Sequence, residues 1–205
     1  MRANVYIVSA PSGSGKTTLL QHLLRTFKDL KFSVSYTTRQ PRAGEQHGVD
    51  YFFTDRNSFL RMVDEGEFLE WTEYHGQLYG TAKSFVEHQL HEGLDVILDI
   101  DVRGAREVKA KIGEAVAVFV LPPSFQELER RLRARNKESD ESIFRRLEIA
   151  KGEILFYRDY DFIVVNDVLE NSIQLLEAIV RSGRAAPARQ QARIEEIIAS
   201  FGGTA

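Results

Sequence analysis

A parallel α/β fold carrying a small mixed β insertion and a helical lid is what this sequence predicts, and three features predict it. Short β-branched apolar runs alternate with stretches of helical periodicity. The first of these runs feeds a loop of glycines and serines that opens a helix. Between residues 32 and 79 the pattern changes to short alternating segments broken by turns.

Taken in order, Val5 to Ser9 reads as a buried strand, followed by Pro11, Gly13 and Gly15 and then by Leu19, Leu20, Leu23, Leu24 and Phe27 at helical spacing. Val96 to Leu98, Ala115 to Leu121 and Phe162 to Val165 are continuous apolar runs, the signature of strands covered on both faces. The insertion offers a strand over Phe32 to Tyr36, short strands over Tyr51 to Phe53 and Phe68 to Tyr74, and turns at Ala43 to Gly48 and His75 to Gly76. Ser124 to Tyr157 reads as two charged helices joined at Asn136 to Asp140, the first opened by a capping box of Ser124 with Glu127. The resulting boundaries are a core of residues 1–34, 80–123 and 158–184, an insertion of residues 35–79, a lid of residues 124–157 and a helical tail of residues 185–205.

The 205 residues carry 27 Lys and Arg against 30 Asp and Glu, a net charge of −3, so nothing marks a nucleic-acid partner. There is no cysteine, which removes disulfides and thiolate metal sites. Met1 to Asn4 is too short for the charged region of a signal peptide, and no run approaches a membrane span; a soluble, cytoplasmic protein is the expectation. In the tail, Ile194, Ile197, Ile198 and Phe201 form an apolar stripe that docks either on its own domain or, the reading preferred here, on a second copy of the chain.

The stretch Ala10, Pro11, Ser12, Gly13, Ser14, Gly15, Lys16, Thr17 lies between a predicted strand and a predicted helix, the context a Walker A loop requires. Backbone N–H groups turned inward by the glycines, together with the positive helix N-terminus, make a nest for a triphosphate. Lys16 then spans the β- and γ-phosphates, the Thr17 hydroxyl ligates Mg²⁺, and Thr18 extends the set. The pattern usually opens with Gly where this chain has Ala10, a departure that only a negative φ tolerates.

The acceptor side must come from the insertion. In Thr37-Thr38-Arg39-Gln40-Pro41-Arg42 a proline stiffens a loop carrying two guanidiniums, a fork suited to a phosphate dianion, and Tyr51 and Tyr79 stand near turns where their hydroxyls complete it. The alternative is two solvated arginines and two core tyrosines. Glu70 is a lone carboxylate within Phe68-Leu69-Glu70-Trp71. Guanine offers it two adjacent N–H donors, whereas adenine presents an acceptor at N1; the alternative is an outward residue of an alternating strand.

Here the chain resembles the bacterial guanylate kinases, from Val5 to about Leu176. The resemblance rests on the loop, on Ser35-Tyr36-Thr37-Thr38-Arg39-Gln40-Pro41-Arg42, Asp50-Tyr51, Leu69-Glu70-Trp71, Tyr79-Gly80-Thr81, Leu98-Asp99-Ile100-Asp101 and Val165-Asn166-Asp167. It implies the three-layer fold of P-loop nucleoside monophosphate kinases and transfer of a phosphoryl group from ATP, with Mg²⁺, to GMP. It also implies roles for particular residues. Arg39, Arg42, Tyr51 and Tyr79 would bind the GMP phosphate, and Ser35, Glu70, Thr81 and Asp101 the guanine side. Asp99, at the end of a strand, would serve the acceptor and the Mg²⁺ shell, directly or through water; an ordinary helix cap is its alternative. Arg135 and Arg146 would reach the ATP phosphates and join Lys16 and Arg39 as catalytic residues, while Arg133 and Asn166 flank the adenine. Arg103 stands where the family is expected to have Gln. Two rivals share much of this pattern: a guanylate-kinase-like binding module without phosphate chemistry, and another P-loop kinase such as a ribose bisphosphate kinase. Both substrate-binding segments, residues 35 to 80 and 124 to 157, are expected to close over the nucleotides to exclude water.

Overall fold

The computed structural model describes residues 3–74, 76–134 and 139–203. Its centre is a parallel sheet in the order β2 (Leu30–Phe32), β7 (Asp95–Asp99), β1 (Val5–Ser9), β8 (Val116–Leu121), β9 (Phe162–Val165). All four pairings are parallel. Successive side chains of a strand point to opposite faces, so the apolar run of β1 divides between two cores. Tyr6 and Val8 pack with Leu19, Leu20 and Leu23 of α1 (Lys16–Thr26) and with Leu176, Ile179 and Val180 of α7 (Leu169–Ala185). Val5 and Ile7 pack on the other face with Val86 of α3 (Lys83–His91) and with Ala105 and Val108 of α4 (Val102–Lys111). The chain leaves β1 with β7 on one side and β8 on the other, the crevice where open α/β sheets hold ligands beyond their strands' carboxyl ends.

The insertion forms a second sheet in the order β4 (Phe52–Phe53), β3 (Tyr36–Thr37), β6 (Gln77–Ala82), β5 (Phe68–Tyr74), and β6 carries it past the expected boundary at residue 79 to Ala82. Phe59 of α2 (Arg56–Asp64) closes its apolar face with Phe68 and Leu78. The predicted strand Phe32 to Tyr36 is therefore two strands. Phe32 ends β2 of the core, Tyr36 begins β3 of the second sheet, and Ser33 to Ser35 between them belong to neither. Local apolar content cannot reveal such a change of sheet.

The segment expected to act as a lid contains α5 (Phe125–Ala134) and α6 (Asp140–Glu153), followed by a 3₁₀ turn over Ile154–Asp159. Only half of the predicted capping box forms: Glu127 N–H donates to Ser124 Oγ at 3.1 Å, but the Glu127 carboxylate accepts from Arg130 and Arg131 instead. Two guanidiniums within reach of one carboxylate outcompete a backbone N–H. The tail helix α8 (Pro187–Ser200) starts on a clasp at the far end of the core. Asp95, its side chain fully buried, accepts from Arg184 Nε at 2.7 Å and from Asn4 N–H at 2.8 Å, and pairs with Arg189 at 2.8 Å. The apolar stripe of α8 stays exposed at Ile194, Ile197 and Phe201.

Candidate active site

The loop of residues 10 to 17 is shaped as its glycines predict. Gly13 and Gly15 have φ of 101° and 92°, and Gly15 caps α1. Ala10 packs its methyl against the core. The Lys16 ammonium is paired with the carboxylate of Asp99 at the end of β7, and Arg146 of α6 donates to the Ser12 hydroxyl. The helix-capping alternative weighed for Asp99 belongs to Asp101, whose Oδ1 accepts from the N–H groups of Arg103 and Gly104 at 3.0 and 2.8 Å and opens α4. The Arg103 side chain is exposed and lines no part of the site.

Across from the loop, Arg39 is forked onto a carboxylate. Both of its terminal nitrogens donate to Glu45 at 2.9 Å, and Arg42 N–H donates to the same group at 2.7 Å. These bonds hold the Glu45 carboxyl below its ordinary range, and the same pairing raises the Arg39 guanidinium. The Arg39 guanidinium also lies 5.3 Å from the ring centre of Tyr51, which meets Tyr79 edge-on at 6.0 Å. Burial raises the Tyr51 hydroxyl, keeping it a neutral donor.

Glu70 occupies its position because β5 carries a bulge. Phe68 pairs with Ala82 and Glu70 with Thr81, leaving Leu69 without a partner across the ladder. A bulge re-aims the side chains around it, and here Phe68, Leu69 and Glu70 are buried in succession, so strict alternation fails. Thr81 Oγ1 donates to Glu70 Oε1 at 2.5 Å, and Glu70 is 3 % exposed. Burial, followed by the charge of Asp101, outweighs the Thr81 bond and pushes the Glu70 carboxyl up to about 7.

One cleft of about 1130 Å³ is lined by the whole loop from Ala10 to Thr17 and by Ser35, Arg39, Arg42, Tyr51, Glu70, Tyr79, Asp99, Asp101 and Arg146. The cleft lies just above the roughly 300–1,000 Å³ of single small-ligand pockets. Thr81 stands behind Glu70. Thr18 and Asn166 lie instead in a separate recess beside the loop, walled by Arg130, Arg131, Ala134 and Leu169. Arg133 reaches neither; it pairs with Glu129 and Asp140 on the outer face of the lid. Arg135 lies outside the described residues.

Four participants escaped the sequence reading. Arg131 donates to the Ser14 and Asn166 carbonyls at 3.4 and 2.9 Å, and the Asn166 amide donates to Ser14 O at 2.8 Å, so the lid and the end of β9 hold the loop. Glu45 and Tyr74 were not singled out, and neither was Glu153, which lines the cleft and is pushed up to about 7 by burial and by Asp101. The spacing of Glu45, six residues beyond Arg39, was the one available signal.

Hard oxygen donors suit Mg²⁺, and the Thr17 hydroxyl and Asp99 carboxylate supply two on one wall of the cleft. Among the described residues no group of three or more His, Cys, Asp or Glu could cage a metal. The donors therefore fit an ion that arrives with phosphate and keeps water ligands.

A sequence model of the family described as guanylate kinase matches residues 2–183. The chain belongs to the guanylate kinase family. It is 50 % identical over 180 residues to the guanylate kinase of Geobacter metallireducens, covering 88 % of this chain and 89 % of that one. With the guanylate kinase of Thermotoga maritima it shares 45 % over 195 residues, 95 % and 94 % of the two chains. The crystal structure of guanylate kinase from Anaplasma phagocytophilum superposes with a TM-score of 0.79 at 31 % identity, covering 98 % and 96 %. Neither rival reading is favoured. As for the membrane, no helix among the described residues is long and apolar enough to cross one.

Proposed function

We propose that the protein transfers the γ-phosphoryl group of ATP to GMP, and to dGMP, giving ADP and GDP by direct in-line displacement. The observation that carries this is the single cleft: an anion-binding loop on one wall and a guanidinium–tyrosine fork beside a buried carboxylate on the other. Phosphoryl transfer asks the protein chiefly to align two nucleotides and neutralise charge. The loop's N–H groups and Lys16 hold the donor phosphates, with Lys16 exchanging Asp99 for the γ-phosphate. The GMP phosphate takes the place of the Glu45 carboxylate at Arg39, with Arg42, Tyr51 and Tyr79 around it. Glu70, ionised on binding, accepts from guanine N1–H and the exocyclic amine, flanked by Ser35, Thr81 and Asp101. Mg²⁺ bound with ATP would be held by Thr17 and Asp99 and supplies charge neutralisation at the phosphates. Arg146, with Arg135, stabilises the transferring group, and Asn166 and Thr18 lie on the adenine side. Closure of residues 35 to 79 and 124 to 157 excludes water. The setting is cytoplasmic purine metabolism and GMP recycling, and the exposed stripe of α8 joins copies of the chain.

A coupled ADP-release assay with ATP and GMP, dGMP, AMP, CMP or UMP tests the reading. GMP and dGMP should turn over far faster than the other three. Equal rates with AMP and GMP would remove the role given to Glu70.

A further inference from the structure

We propose that Gly104 is a specificity-determining positioning residue, whose missing side chain sets the depth at which the Glu70 carboxylate stands in the acceptor site. This rests on the reading of Glu70 as the group that recognises guanine. A Cβ built on Gly104 would lie 2.5 Å from Glu70 Oε2, 3.0 Å from its Cδ and 3.4 Å from its Cγ. The first distance is shorter than real Cβ contacts allow and the second is tighter than most of them, so the carboxylate end of Glu70 would have to move.

Nothing in the backbone asks for glycine at this position. Gly104 stands in the first turn of α4 and is not among the residues of positive φ, and a helix is more stable with alanine there. Its reason is therefore the space. Neither partner can retreat. On the helix side, Gly104 N–H is bonded to Asp101 Oδ1 at 2.8 Å, and Ala105 and Val108 of the same helix are buried in the core. On the strand side, Thr81 fixes Glu70 Oε1, and Lys111 Nζ, at the end of α4, donates at 2.5 Å to the carbonyl of Leu69, the bulged residue. Helix, bulge and threonine thus clamp the carboxylate from three directions. A methyl group at residue 104 would drive it toward the cleft, where the base must fit.

Two donors meeting one carboxylate make recognition sensitive to such a shift, because both bonds must form at once. In Gly104→Ala, kcat/KM for GMP should fall about tenfold or more, the scale of a crowded buried contact. The preference for GMP over IMP, which lacks the exocyclic amine, should shrink with it, while KM for ATP stays within about twofold. Shortening the carboxylate in Glu70→Asp restores room, so Gly104→Ala should cost much less in that background. An unchanged GMP:IMP ratio in Gly104→Ala, or an equal loss with and without Glu70→Asp, would overturn the proposal. Should Gly104→Ala alone not fold, recovery of folding by Glu70→Asp reads the same coupling and its failure counts against it. Glu70→Gln separates the two levels. If it leaves the GMP:IMP ratio intact, the base assignment itself fails; if it collapses the ratio while Gly104→Ala does not, only the role of Gly104 fails.

Discussion

The two walls of the cleft are built by opposite means. The loop wall is contiguous: residues 10 to 17 run from the end of β1 into the first turn of α1, so a ligand there meets backbone N–H groups, and only Lys16 and Thr17 need particular side chains. The acceptor wall is assembled from segments far apart in sequence, Arg39 and Arg42, Tyr51, Glu70, Tyr79 and Asp101, and its key charged groups are already bonded within the protein. Arg39 is occupied by Glu45 and Glu70 by Thr81. Anion binding by backbone is insensitive to most side-chain changes, whereas binding by dispersed side chains can be dismantled one group at a time.

The largest expected effect is on the loop wall. Lys16→Ala should lower kcat by about 10²–10³-fold, the scale of losing a transition-state donor, with GMP affinity by calorimetry unaltered; a parallel loss of GMP binding would blur the distinction between the walls. Arg39→Ala should reduce GMP affinity by roughly 10–100-fold, since it removes charge-assisted bonds of about 1.5–3 kcal/mol each, and should leave ATP affinity alone. The pH dependence should likewise divide the walls. Glu70 must lose its proton to accept two donors, and its carboxyl stands at about 7, so GMP affinity should be flat above pH 7 and fall up to tenfold per unit below it. The GMP phosphate titrates near pH 6 by itself; Glu70→Gln keeps that contribution and should lose the rest. In the empty protein the folded state holds this proton while the unfolded chain, at 4.5, has released it, so Glu70 makes stability decline as pH rises from about 4.5 to 7. The smallest effect is expected at the peg behind the loop. Asn166→Ala removes one bond to Ser14 O, worth about 1 kcal/mol, and should raise KM for ATP several-fold without touching GMP, as initial rates would show.

The same contrast explains what could be read from sequence. β5 and β9 have the bounds their patterns predict, and the loop was legible because its ligating atoms follow one another along the chain. The change of sheet between Phe32 and Tyr36 was not, because it depends on which distant strand each half pairs with. Glu70 was singled out by its apolar neighbours, yet its burial comes from a bulge and from Gly104, and neither leaves a periodic mark. Arg131 was one arginine among six in the lid; only its distance to the Ser14 and Asn166 carbonyls distinguishes it from Arg133. Asp95 lay just before the run Val96 to Leu98 that reads as strand, with no sign that it begins β7 or that two arginines from the other end of the chain would converge on it.

The ion pair of Arg39 with Glu45 has one more consequence. A bare guanidinium in an open cleft would attract any small anion, free orthophosphate included. With a carboxylate already seated, an incoming anion must displace it and lose that bond before gaining its own. Free phosphate has only its charge to set against that exchange. A nucleotide brings a base and a sugar as well, so in the proposed reaction the resident carboxylate would act as a threshold, favouring a ligand that is anchored at both ends over one that is not.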